Sequence, residues 1–160
     1  MLNSLEWIAP AGDSLGAGTA EAAGIPHSCL KGREPHQVLA VIRATPASLI
    51  RDRNVLLSCG ISNNPDGRAF VEPQLSELLA RGARSIMIIG VGPGNDKVNL
   101  TGVNEWLRQV ASYEVYDDRV RFAGPLAPPW VTVWQTGEQP GIHPVDYSEV
   151  VSQIELVLAG

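Results

Sequence analysis

Two stretches of this sequence hold residue types suited to nucleophilic chemistry. They are Gly12-Asp13-Ser14-Leu15-Gly16-Ala17-Gly18 near the start and Gly141-Ile142-His143-Pro144 near the end. A serine hydroxyl is a poor nucleophile until a base takes its proton, and histidine is the side chain tuned for that near neutral pH. The first stretch follows the apolar Leu5, Trp7 and Ile8 and precedes the helix-prone Thr19-Ala20-Glu21-Ala22-Ala23. It reads as strand, tight turn, helix. The free N–H groups of such a helix start lie at the carboxyl end of the strand, where doubly wound sheets bind their ligands. Ser14 falls at the turn, its hydroxyl facing the crevice. Turns of this kind hold structural Ser and Asp as well as nucleophiles, so this stretch alone does not decide.

The elements that must position these residues follow from hydrophobic patterning. Ile25 to Leu30 is a short strand candidate closed by Lys31-Gly32, and Glu34 to Ala44 reads as a helix that ends before Pro46. Asn54 to Cys59 is a compact buried strand running into Gly60, followed by the turn residues Asn63-Asn64-Pro65-Asp66-Gly67. Val71, Leu75, Leu78 and Leu79 form the stripe of an amphipathic helix stopped by Gly82. Ser85 to Ile89 is apolar on both faces, as a parallel-sheet strand is. The loop Gly90–Asp96 leaves it. Val103, Trp106, Leu107, Val110 and Tyr113 make the next helical stripe, and Arg119 to Phe122 is a last strand candidate. The segment Gly124 to Gly141 is rich in Pro and Gly and carries Trp130 and Trp134. A loop this long in a compact domain is usually functional or loosely ordered. A helix from about Val145, with Val150, Ile154, Val157 and Leu158 on one face, closes the chain. The alternation predicts one domain over residues 1–160, a three-layer α/β/α, flavodoxin-like, doubly wound fold around a five-stranded parallel sheet.

Composition narrows the function classes. At 160 residues the chain is within the usual size of one domain, and 44% hydrophobic with 18% charged residues is ordinary for a globular protein. A net charge of −5 without a Lys/Arg cluster argues against nucleic acid or an anionic membrane as partner. No apolar run approaches the ~18 residues of a membrane span. The N-terminus has neither a basic n-region nor a long apolar h-region, so no secretory signal is expected and the cytoplasm is the default compartment. Cys29 and Cys59 end strands on either side of the first one in this reading. Two spacings of ~4.8 Å then separate them, beyond the ~7 Å reach of a disulfide, and free thiols are expected. His27 and His36 have no metal-ligand neighbours at useful spacing.

Taken together, Gly12-Asp13-Ser14-Leu15 and the late His143-Pro144 resemble the GDSL esterases, also called the SGNH hydrolase family. In that family four short blocks supply a Ser, a Gly, an Asn and a His. Here Ser14, Gly32, Asn63 and His143 stand in the corresponding order across essentially the whole chain. The resemblance implies a serine hydrolase that cleaves acyl esters, of lipid or of acetylated carbohydrate, through an acyl-enzyme and without metal or other cofactor. Ser14 would be the nucleophile and His143 the general base and acid. The N–H groups of Ser14 and Gly32 and the side-chain amide of Asn63 would form the oxyanion hole, each donor being worth ~3 kcal/mol in the transition state. Trp130 and Trp134, in the loop before the histidine, either wall the acyl or sugar site or simply pack.

The sequence departs from the family pattern twice. The third block usually reads Gly-x-Asn-Asp, whereas here Gly60-Ile61-Ser62-Asn63-Asn64 holds one extra residue, which leaves Asn64 as the alternative to Asn63. The family also places Asp three residues before the His, and that position is Pro140. Glu138, Asp146, a main-chain carbonyl or water would then have to orient the imidazole. This departure keeps open a non-catalytic binding or assembly module. A phosphate- or nucleotide-binding domain using the loops Gly12–Gly18 and Gly90–Gly94 is disfavoured by spacing: Glu21 and Asn95 stand where G-x-G-x-x-G requires Gly.

Overall fold

A computed structural model describes residues 2–124 and 140–160. Four strands, β1 (Trp7–Ile8), β2 (Asn54–Leu57), β3 (Ser85–Ile89) and β4 (Val120–Ala123), form one parallel sheet in the order β1-β2-β3-β4. Six α-helices accompany them among the described residues: α1 (Ser14–Ala23), α2 (Pro35–Ala44), α3 (Ala47–Ile50), α4 (Val71–Ala80), α5 (Val103–Ala111) and α6 (Tyr147–Ala159).

The two-residue period of the strands sorts their side chains into two cores. Val55 and Leu57 of β2 pair in register with Ile86 and Ile88 of β3. They pack against Val38 and Ile42 of α2, Leu75 and Leu78 of α4, and Leu107 of α5. Leu56, Met87 and Ile89 point the other way, onto Ala20 and Ala23 of α1 and Val150, Val151 and Ile154 of α6. Both faces of the sheet are thereby covered. That is why β2 and β3 read as continuous apolar runs rather than as alternation.

The sheet has four strands where five were expected. Ile25–Leu30 contributes only an isolated parallel bridge, Ala9 to His27, on the outer side of β1. The N–H of Ala9 donates to the Pro26 carbonyl and the N–H of Ser28 to the Ala9 carbonyl. Pro26 has no N–H to extend the ladder, so the pairing stays a bridge at the fifth position. Its placement still matters. The chain goes outward from β1 to the bridge and then returns past β1 to β2, so the direction of winding reverses there. The crevice at the carboxyl ends of β1 and β2 is the switch point of the sheet.

Local signals fix the ends of the helices. Asp13 caps α1, whose other end is closed by Gly24 at φ 73°. Glu34 caps α2 in a reciprocal box with Gln37. The last helix starts at Tyr147 rather than Val145, because Asp146 is its N-cap and the cap residue is extended. No described helix is long and apolar enough to cross a membrane.

Candidate active site

Ser14 is the first residue of α1, delivered by the short β1 and the turn Ala9–Asp13. The turn is fixed from beneath. The Asp13 N–H donates to Ser58 Oγ (3.0 Å), just past the end of β2. The Asp13 carboxylate is buried and accepts the N–H groups of Leu15 (3.0 Å) and Gly16 (3.5 Å). Glycine is required at position 16, because a Cβ there would collide with the Ser58 side chain and approach Cys29 Sγ to 2.9 Å. Burial pushes the Asp13 carboxyl up, while the Ser58 hydroxyl, the two helix N–H groups and the charge on His143 pull it back.

His143 meets Ser14 across 129 positions of sequence: its Nε2 lies 2.7 Å from Ser14 Oγ, and both side chains are half-buried. The histidine sits between two anchors. Ile142 is buried in the core on one side, and on the other Asp146 caps α6. The Tyr147 hydroxyl, one residue into α6, donates a long 3.4 Å hydrogen bond to the Ser14 carbonyl. Its ring rests on Gly18, where any Cβ would strike it. Burial raises the Tyr147 phenol.

The other site residues inferred from sequence gather around the loop after the bridge. Gly32 is at φ 82° with open space where a Cβ would point. Asn63 Nδ2 donates to the Arg33 carbonyl (2.9 Å), which ties the loop after β2 to the loop carrying Gly32. Gly60 makes that approach possible: at φ 84°, a Cβ there would come within 2.8 Å of the Arg33 carbonyl oxygen. Asn64 does a different job, its Oδ1 accepting the Asp66 N–H (3.1 Å) to cap the 3-10 turn Pro65–Phe70. Asn63 and Asn64, with Lys97, Asn99 and Thr101, line a cleft of about 560 Å³ between the loops after β2 and β3.

Of the carboxylates near His143, Asp146 is solvent-exposed and spends its Oδ1 on the Ser148 N–H (2.9 Å) and hydroxyl (2.7 Å). Those two bonds, the hydroxyl first, hold it below the usual carboxylate range. Glu138, Trp130 and Trp134 lie outside the described residues. Ser58, Tyr147 and Asn95, which contact the Ser14 turn or the His143 segment, carry no motif and are recognisable only from the fold. Asp13 had a signal, an Asp immediately before a helix start, which is an N-cap pattern.

The remaining candidates have structural partners. His27 bonds Glu21 (3.2 Å) and accepts the Cys29 N–H, and His36 lies against Phe70. No group of His, Cys, Asp or Glu among the described residues could hold a metal ion. Cys29 and Cys59 are free and buried, and burial raises the Cys29 thiol to about 12 and the Cys59 thiol further, which makes both poor nucleophiles. Several of the N–H donors that the phosphate reading would use are already engaged. Asp13 occupies the N–H groups of Leu15 and Gly16. In the second loop Asn104 takes the Val91 N–H and the Gly141 carbonyl takes that of Gly94.

No protein-family model and no curated protein sequence matches this chain. Solved structures do. A putative acylhydrolase from Bacteroides fragilis NCTC 9343 superposes with a TM-score of 0.64 at 11% identity, over 96% of this chain and 85% of its own. A GDSL-like lipase from Bacteroides thetaiotaomicron VPI-5482 superposes with a TM-score of 0.61 at 13% identity, over 99% and 88%. At such identities the likeness speaks for the fold. The three-layer architecture, with its parallel sheet and helices on both faces, is the SGNH/GDSL hydrolase fold.

Proposed function

We propose that this protein is a serine esterase that cleaves small acyl esters through an acyl-enzyme. The observation that carries the reading is the 2.7 Å approach of His143 Nε2 to Ser14 Oγ at the switch point of the sheet. In this mechanism Nε2 takes the Oγ proton as Oγ adds to the ester carbonyl. The C–O π electrons move onto the carbonyl oxygen. That oxyanion is received by the Ser14 and Gly32 N–H groups and the Asn63 amide, which has a second hydrogen beyond the one given to Arg33. His143 returns the proton to the departing alkoxide, and a water activated by the same base releases the acid. The polar lining of the cleft beside Asn63 suits a hydroxylated leaving group, such as the sugar released from an acetylated carbohydrate, better than a long acyl chain.

Labelling with a serine-reactive fluorophosphonate, together with hydrolysis of p-nitrophenyl acetate, tests the reading. Wild type should label and turn over. Ser14→Ala should do neither, losing on the order of 10³ or more in kcat while melting within a few degrees of wild type. Equal turnover in the variant would sink the proposal, and a wild type that neither labels nor hydrolyses would point to a binding module.

A further inference from the structure

The loop after β3, which lines one wall of the cleft beside Asn63, also grips the segment that carries His143. Asn95 Nδ2 donates to the Pro140 carbonyl (2.7 Å), and the Gly94 N–H donates to the Gly141 carbonyl (3.0 Å). Gly141 stands at φ 71°, and a Cβ there would run into the Gly94 carbonyl oxygen, so the two chain segments touch backbone to backbone. Asn95 is itself held. Its Oδ1 accepts the N–H groups of Lys97 (2.9 Å) and Val98 (3.0 Å), which turns its amide nitrogen toward Pro140. The root of the loop is pinned as well, since Asn104 takes both the N–H (2.8 Å) and the carbonyl (2.9 Å) of Val91. Two residues beyond this grip, Nε2 of His143 stands 2.7 Å from Ser14 Oγ.

We propose that Asn95 is a positioning residue for His143. By fixing the carbonyl of Pro140 it sets the start of the segment Gly141–His143, and so the height at which the imidazole meets Ser14. The proposal rests on reading Ser14 and His143 as a working pair. Position 140, where the family resembled here carries Asp, contributes a carbonyl instead of a carboxylate, and the loop after β3 takes hold of it. Such a grip acts on rate rather than on substrate affinity, because displacing a reacting group by about 1 Å can lose ~10² in rate.

Asn95→Asp is the discriminating variant. It keeps the Oδ1 acceptor and the volume, but at neutral pH sets a carboxylate oxygen against the Pro140 carbonyl. Its kcat for p-nitrophenyl acetate should fall roughly 10- to 100-fold with KM nearly unchanged. The imidazole signals of His143 in 15N–1H spectra should shift or broaden while those of His27 and His36 stay in place. Asn95→Ser, which keeps the acceptor of the turn but is too short to reach Pro140, should behave alike. The ring signals need no turnover, so they judge Asn95 even if wild type proves inactive and the esterase reading fails. Unchanged His143 signals in both folded variants, or a wild-type kcat alongside them, would overturn the proposal.

Discussion

At the scale of single residues, the two aspartates near the pair of Ser14 and His143 have opposite environments and should have opposite consequences. Asp13 is buried beneath the nucleophile, and its carboxylate is attracted to a charged His143. That attraction grows when the imidazole takes up the Ser14 proton, so it favours the transition state over the resting enzyme. Asp146 is solvent-exposed and occupied with Ser148. Asp13→Asn should therefore lower kcat by roughly tenfold, whereas Asp146→Asn, which retains a good cap, should keep it within about twofold. Steady-state kinetics of the two variants side by side checks this, and the reverse ranking would assign the electrostatic role to Asp146.

At the scale of elements, α1 is made of small residues so that other parts can come close to it. Gly16 admits Ser58 from just past the end of β2, and Gly18 admits the ring of Tyr147 from α6. Helix propensity by itself favours Ala over Gly in a helix interior by about 1 kcal/mol. Overpacking against a fixed ring is worth about 1–3 kcal/mol in the other direction, so the clash should win at position 18. Gly18→Ala is thus expected to lower the melting temperature in wild type and to raise it in a Tyr147→Ala background. A double-mutant cycle by thermal denaturation reads the coupling directly. Additive effects would mean that the α1–α6 contact is looser than described.

At the scale of the whole molecule, acid stability reflects two sets of carboxylates with opposite signs. Arg81 and Arg43 lower Glu77, Arg108 lowers Glu105 and Ser148 lowers Asp146. Each contributes stability above its unfolded value, 4.5 for Glu and 3.8 for Asp, and loses it as pH falls through the folded value. Glu105 and Asp146 are exposed and Glu77 is half-buried, so salt screens their contributions, least for Glu77. Asp13 is raised above 3.8, so its contribution is full below that value and is lost as pH rises through the folded one. On acidification it therefore partly offsets the others. Removing the offset with Asp13→Asn should steepen the fall of melting temperature on acidification and should not lower stability at neutral pH. Parallel curves for wild type and variant would show that Asp13 titrates as if exposed.

Much of this was legible in the chain itself. The covered strands β2 and β3 announced a parallel sheet because apolar side chains are needed on both faces. The turn at Asp13-Ser14 announced a helix because the helix-prone run Thr19–Ala23 follows it. The pairing of an early Gly-Asp-Ser-Leu with a late His-Pro pointed to the SGNH/GDSL hydrolase fold. Each of these is a local property, set by side-chain period or by residue types within a short stretch. What only the tertiary structure decided are contacts between segments distant in the chain: Nε2 of His143 on Ser14, Ser58 under Asp13, Asn63 on Arg33, Asn95 on Pro140. The fifth strand belongs with these. Ile25–Leu30 has strand-like composition, but whether it becomes a strand depends on what β1 offers as a partner. Pro26, lacking an N–H, reduced the pairing to one bridge. A hydrogen bond between residues a hundred positions apart leaves no period in a sequence, because its geometry exists only once the sheet has brought its loops to one edge.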